Sequence, residues 1–313
     1  MKQRLFKIGI LILIVTTFFM ATFSFAQAPV RGNFLYYLSN FTGAIRSDMS
    51  RVVVDRERSE IYTLYQNNLQ IFDQNGMEIY RFGEDLDLGH IVDVAVDKNG
   101  DILLLAYKSG CGIIQCNYRG EPKSTITLKN LPAEYSTFSP SRMVYQDGTL
   151  YFASPIDLKI VVADGQGNFK KGYDLFSLLE LEEKDRGNVE LFGFSVDREG
   201  NILVTVPVQF IACVLSPDGK LAAFGKPGST AGKFNIVSGI VRDSKGNYLV
   251  VDQLKCAVMV FDNNFKFVTQ FGYRGYKPGN LIIPNEIAID KYDRIYVTQA
   301  ASRGVSVFKL NYD

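Results

Sequence analysis

The chain repeats one plan six times, and a sixfold repeat of this period leaves few folds open. Each unit runs apolar strand, usually an Asp, a tight turn usually containing Gly, then a second apolar strand. Val94-Ala-Val-Asp97-Lys-Asn-Gly100-Asp-Ile-Leu103, Phe194-Ser-Val-Asp197-Arg-Glu-Gly200-Asn-Ile-Leu203 and Ile240-Val-Arg-Asp243-Ser-Lys-Gly246-Asn-Tyr-Leu249 are the clearest copies. Val52-Val-Val-Asp55, Met143-Val-Tyr145 and Ile287-Ala-Ile-Asp290 open the other three. With Asp55, Asp97, Tyr145, Asp197, Asp243 and Asp290 as anchors, the period is 42 to 52 residues. One blade of four antiparallel strands needs about that length. A second turn recurs within the units, at Asp73–Gly76, Asn117–Gly120, Asp164–Gly167, Ser216–Gly219 and Asp262–Asn264. Gly, Asn and Asp supply the positive φ of tight hairpins, and an Asp carboxylate accepts from backbone N–H groups two residues on. The expectation is an all-β, six-bladed β-propeller of four-stranded blades.

The ends of the chain supply the closure. The sixth unit stops at its third strand, Val305-Ser-Val-Phe308, and Phe34–Phe41 precedes the first unit. Pairing them completes the sixth blade and removes the free sheet edges. A closed ring of this kind is expected to be a monomer.

Residues 1–26 read as a signal peptide. Lys2, Arg4 and Lys7 precede the apolar run Ile8–Met20, and Ser24-Phe-Ala26-Gln-Ala28 offers small residues at alternate positions. That order is the mark of a secretory leader. Cleavage then leaves a mature chain from Gln27 or Pro29, one propeller domain over 27–313, in the periplasm or outside the cell. Contact with a membrane would come only through the leader, were it retained.

Composition excludes several chemistries. His90 is the single histidine, so sites needing two imidazoles are absent. Metalloprotease, serine hydrolase, phosphate-loop and c-haem motifs are absent too. The net charge of +1 gives no basic field to recruit nucleic acid. The four cysteines are expected to be free thiols. Cys111 and Cys256 fall on opposite blades, and Cys111 and Cys116 lie on one strand.

Two units resemble NHL repeats. Phe224-Gly-Lys-Pro-Gly-Ser-Thr-Ala-Gly-Lys-Phe234, with Gly239–Asp252 and Val258–Phe261, is one. Phe271–Gly279, with Pro284–Asp290, Ile295–Val297 and Val305–Phe308, is the other. The resemblance implies a six-bladed platform for protein, RNA or ligand, and in some members an enzyme. The NHL pattern carries Gly four residues before each anchor. Here those positions are Arg51, Asp93, Ser141, Gly193, Gly239 and Glu286. Each starts an innermost strand at the long-loop mouth of the central channel.

The carboxylate–guanidinium–carboxylate row Asp93–Arg51–Glu286 is therefore the candidate ligand site; the alternative is a structural salt-bridge cluster tying three blades together. The loops of that face are long at Gly83–Asp93, Lys129–Arg142, Leu175–Gly193, Gly225–Gly239 and Gly272–Glu286, and Leu175–Asp185 reads as a short helix ended by Gly187. The expected function is an exported, non-catalytic binding or scaffold propeller. Its partner would be a cell-envelope or extracellular protein or a small polar ligand, with no cofactor. The alternative is a calcium-dependent hydrolase or lactonase-like enzyme with an axial metal on Asn285, Glu286 and Asp93.

Overall fold

The computed structural model describes residues 30–312 apart from Asp85 and Ser109. The expected leader, with its cleavage points after Ala26 and Ala28, lies outside the described residues.

The repeated Asp is a turn clamp. Asp97 Oδ1 accepts from the backbone N–H of Asn99 at 2.8 Å and of Asp101 at 3.0 Å. Asp197, Asp243 and Asp290 bond the equivalent pairs of N–H groups. The second turns reuse the device at Asp73, Asn117, Asp164 and Asp262. The two irregular repeats have physical substitutes. In the first, Ser59 takes the left-handed position (φ +60°) that Gly100, Gly200 and Gly246 fill in blades 2, 4 and 5 and Asp293 (φ +56°) in blade 6. In the third the turn has only two residues, Asp147 (φ +49°) and Gly148 (φ +78°), closing Gln146 against Thr149. Both central residues at positive φ make a type I′ hairpin, which needs no anchoring Asp.

Each repeat forms one four-stranded antiparallel sheet, giving six blades. The inner strands are Arg51–Asp55, His90–Val96, Arg142–Gln146, Phe194–Val196, Val237–Arg242 and Pro284–Ile289, in blades 1 to 6. The core is not central. It is divided into six clusters, one between each pair of adjacent blades. Between blades 4 and 5, for example, Phe224 stacks on Phe265 at 4.6 Å and meets Phe234, Tyr248 and Phe261.

The N-terminal strand closes the ring, with different limits from those expected. It is Val30–Tyr37, paired antiparallel with Val305–Tyr312 from Val30↔Tyr312 to Tyr37↔Ser306. Phe41 is not in it. It tips a two-rung hairpin, Ser39–Asn40 with Gly43–Ala44, and is 91% exposed. The Asn40 side chain accepts from the Thr42 N–H at 2.9 Å and turns the chain away from the sheet there. The expected helix is also shorter. Only Leu175–Leu178 is α-helical, capped by Asp174, and Glu180 at φ +52° breaks it before a separate 3-10 turn at Glu183–Asp185. All four cysteines are free.

The ring is lopsided at its axis. A Cβ on Gly193 would lie 2.3 Å from the Ser238 carbonyl oxygen, and one on Gly239 would lie 2.7 Å from the Ile287 nitrogen. Blades 4, 5 and 6 thus meet backbone to backbone. Thr205 reinforces the contact, its hydroxyl accepting from the Gly193 N–H at 2.8 Å and donating to the Ser238 carbonyl at 2.6 Å. Gly193→Ala is expected to destabilise the protein by about 1–3 kcal/mol, because a methyl must displace backbone rather than a flexible side chain. Urea unfolding measures it, and a change within error would show that the blades can part without cost.

Candidate functional site

Where blades 4 to 6 close on glycine, blades 6, 1 and 2 are spaced by charge. Arg51 begins the inner strand of blade 1. Its Nε donates to Asp93 Oδ1 at 2.9 Å and its Nη2 to Asp93 Oδ2 at 3.0 Å. Its Nη1 lies 2.6 Å from Glu286 Oε2. Asp93, 0% exposed, also accepts from the backbone N–H groups of Val94 and Met143, each at 2.8 Å. The Glu286 backbone N–H donates to Thr298 Oγ1 at 3.0 Å. Burial alone would lower the Arg51 pKa; the charges of Asp93 and Glu286 outweigh it and hold the guanidinium above its ordinary value.

Sequence reasoning placed Arg51, Asp93 and Glu286 in one row, and the three side chains do meet. Asn285 is set apart, its Oδ1 accepting from Gln253 Nε2 of blade 5 at 3.0 Å. A guanidinium stands where a cation would bridge the two carboxylates. Among the described residues no group of three or more His, Cys, Asp and Glu side chains is placed to hold a metal. Chemically, the row ties inner strands together: Asp93 alone joins blades 1, 2 and 3.

Arg142 was missed. Its Nη2 lies 3.8 Å from Glu286 Oε1, too long for a hydrogen bond but close for a charge pair. Anchoring blade 3 on Tyr145 pointed to Ser141. The strand ends at Gln146, and four residues before Gln146 is Arg142. The two-residue Asp147-Gly148 turn was the signal.

Below the row runs an axial cavity of about 590 Å³. Its walls are apolar, among them Val54, Val96, Val144, Val196 and Ile289, and blade 5 contributes only Val241. The offset follows from the glycine closure of blades 4 to 6. At the tight-turn end the lining becomes polar, with Arg56, Lys98, Gln146, Arg198 and Lys291.

The long-loop face carries exposed apolar side chains. Ile156, Val208 and Leu254 occupy the loops between second and third strands of blades 3, 4 and 5, at 76%, 53% and 51% exposure. Ile236 and Ile283, in the loops leading into blades 5 and 6, are exposed as well. The Gln253 N–H bonds the Ile236 carbonyl at 2.8 Å, which ties the loop of Leu254 to that of Ile236. His90, exposed at the start of its strand, is the only imidazole of this face.

Comparison with known proteins bears on the fold. The DUF5128 family model, described as a 6-bladed beta-propeller, matches residues 227–313. No curated protein sequence matches the chain. A structural genomics protein of unknown function from Bacteroides thetaiotaomicron superposes with a TM-score of 0.65 at 12% identity, over 90% of this chain and 76% of that one. Virginiamycin B lyase from Staphylococcus aureus gives 0.59 at 10% identity, over 91% and 100%. An auxiliary nutrient binding protein from Bacteroides ovatus gives 0.55 at 14% identity, over 91% and 77%. Likeness at these identities extends to the propeller fold alone.

Proposed function

We propose that the protein is an exported binding propeller whose long-loop face docks a partner protein. The observation that carries this reading is the exposed apolar crescent Ile156, Val208, Leu254, Ile236 and Ile283, which runs over blades 3 to 6. Monomeric proteins seldom leave neighbouring large apolar side chains in water unless another surface covers them. The crescent sits over the half of the ring whose inner strands are locked by Gly193 and Gly239, a rigid base for loop-borne contacts. In this reading Arg51, Asp93, Glu286 and Arg142 are struts that fix the loops from below. The binding role named for the Bacteroides ovatus protein of the same fold is in keeping with a non-catalytic task.

The test is capture from cell-envelope extract by immobilised protein. Val208→Asp with Leu254→Asp should abolish capture of a discrete partner and leave the melting temperature unchanged, because both side chains already face solvent. Equal capture by the double variant would overturn the reading. So would recovery of the wild type as a dimer through this face, which would make a second copy the occupant.

A further inference from the structure

The opposite mouth of the axial cavity has a different chemistry. The residue after each turn anchor, with Gln146 as the anchor of blade 3, is Arg56 in blade 1, Lys98 in blade 2, Asp147 in blade 3, Arg198 in blade 4, Ser244 in blade 5 and Lys291 in blade 6. All but Ser244 line the cavity. The neighbouring anchor carboxylates Asp55, Asp97, Asp197 and Asp290 are turned back onto the N–H groups of their own hairpins and make no hydrogen bond to the four cations among the described residues. Asp147 and Glu57 are the exposed carboxylates of this mouth.

Arg56 and Arg198 project from blades that face each other across the ring. The only hydrogen bond of the Arg56 guanidinium among the described residues runs from Nε to the Ile289 carbonyl, at a long 3.4 Å. Its two Nη atoms have no partner there, and neither does the head group of Arg198 or Lys98. Lys291 Nζ reaches only the Glu57 carbonyl, at 3.1 Å. Burial lowers the Arg56 pKa, the like charge of Arg198 lowers it further, and the charges of Asp197, Asp290 and Asp147 offset this only in part. Two guanidinium groups, neither hydrogen-bonded to a carboxylate, thus line one end of a cavity with apolar walls.

We propose that the tight-turn mouth of the cavity binds a small molecule through one carboxylate or phosphate group, clamped between the guanidinium groups of Arg56 and Arg198. The planar forks suit the flat edge of an oxyanion, with Lys98 and Lys291 flanking it. The apolar walls beyond accept the rest of the molecule. This site is independent of the docking face, which lies at the other end of the channel.

The experiment uses the purified chain at low ionic strength, with sodium phosphate and sodium succinate as separate probes in calorimetry and thermal melting. At least one probe should bind saturably and raise the melting temperature by mass action. Arg198→Gln, at an exposed position without a partner, should leave the ligand-free melting temperature unchanged and weaken binding at least about tenfold. Arg56→Gln should weaken it similarly. Binding of phosphate alone points to a phosphorylated ligand, of succinate alone to a carboxylate, and of both to a clamp that reads any oxyanion. Absence of saturable binding by either probe, or wild-type affinity in Arg198→Gln, would overturn the proposal. Neither outcome bears on partner capture by the long-loop face.

Discussion

Asp93→Ala is expected to destabilise the protein by about 3–5 kcal/mol, the scale for breaking a buried ion pair by removing one partner. The carboxylate accepts from Nε and Nη2 of Arg51 and from the N–H groups of Val94 and Met143, and it is wholly buried. Its removal strips Arg51 of its bidentate partner and leaves two backbone donors unsatisfied in the ring's interior. Such orphaned groups each carry a desolvation cost. Glu286→Gln should cost less, because Arg51 keeps both bonds to Asp93 and Gln can still accept from Nη1. Urea unfolding of the two variants gives the order. A loss below about 1 kcal/mol for Asp93→Ala, the range of an exposed pair, would mean that the row does not hold the blades.

Deleting residues 30–38 should abolish cooperative folding. The deletion removes the outer strand of blade 6 and two buried side chains, Val30 and Leu38. Truncating one buried Leu to Ala already costs about 2–5 kcal/mol, and a whole protein is stable by only about 5–15 kcal/mol. The deletion also exposes Val305–Tyr312 as an open edge, a template for aggregation. The control is a circular permutant. Val30 and Tyr312 are register partners, so a short turn can join them, with new ends in the loop between Ala44 and Arg51. The permutant should melt close to the wild type, since every strand keeps its neighbours. A deletion variant with an unchanged melting curve would contradict closure by this strand.

How much was legible depended on whether the signal was local. An Asp that clamps its own hairpin leaves its mark within five residues, so turns, strand order and blade count could all be read. The limits of the closing strand could not. Phe41-Thr-Gly43 resembles the outer-strand ends Phe82-Gly83 and Phe271-Gly272, but the Asn40 turn diverts it. The helix over Leu175–Asp185 failed at Glu180, whose positive φ no pattern announces. In the candidate site, Arg51, Asp93 and Glu286 were found through their shared place in the repeat. Arg142 escaped because a one-residue change of anchor moves the inferred position to its neighbour.

By itself the sequence determined the blade. Period, turn chemistry and apolar alternation act within one repeat, and backbone hydrogen bonding follows from them. What only the tertiary structure decided is how six similar blades make an unequal ring. Whether an inner-strand start must be Gly or can be Arg depends on how close the next blade's backbone comes, as at Gly193 and Ser238. Whether Asp93 is a ligand group or a strut depends on Met143 donating to it from 50 residues away. That Arg56 and Arg198 of opposite blades line one cavity depends on ring closure. These contacts join residues distant in the chain, and only the closed ring brings them together.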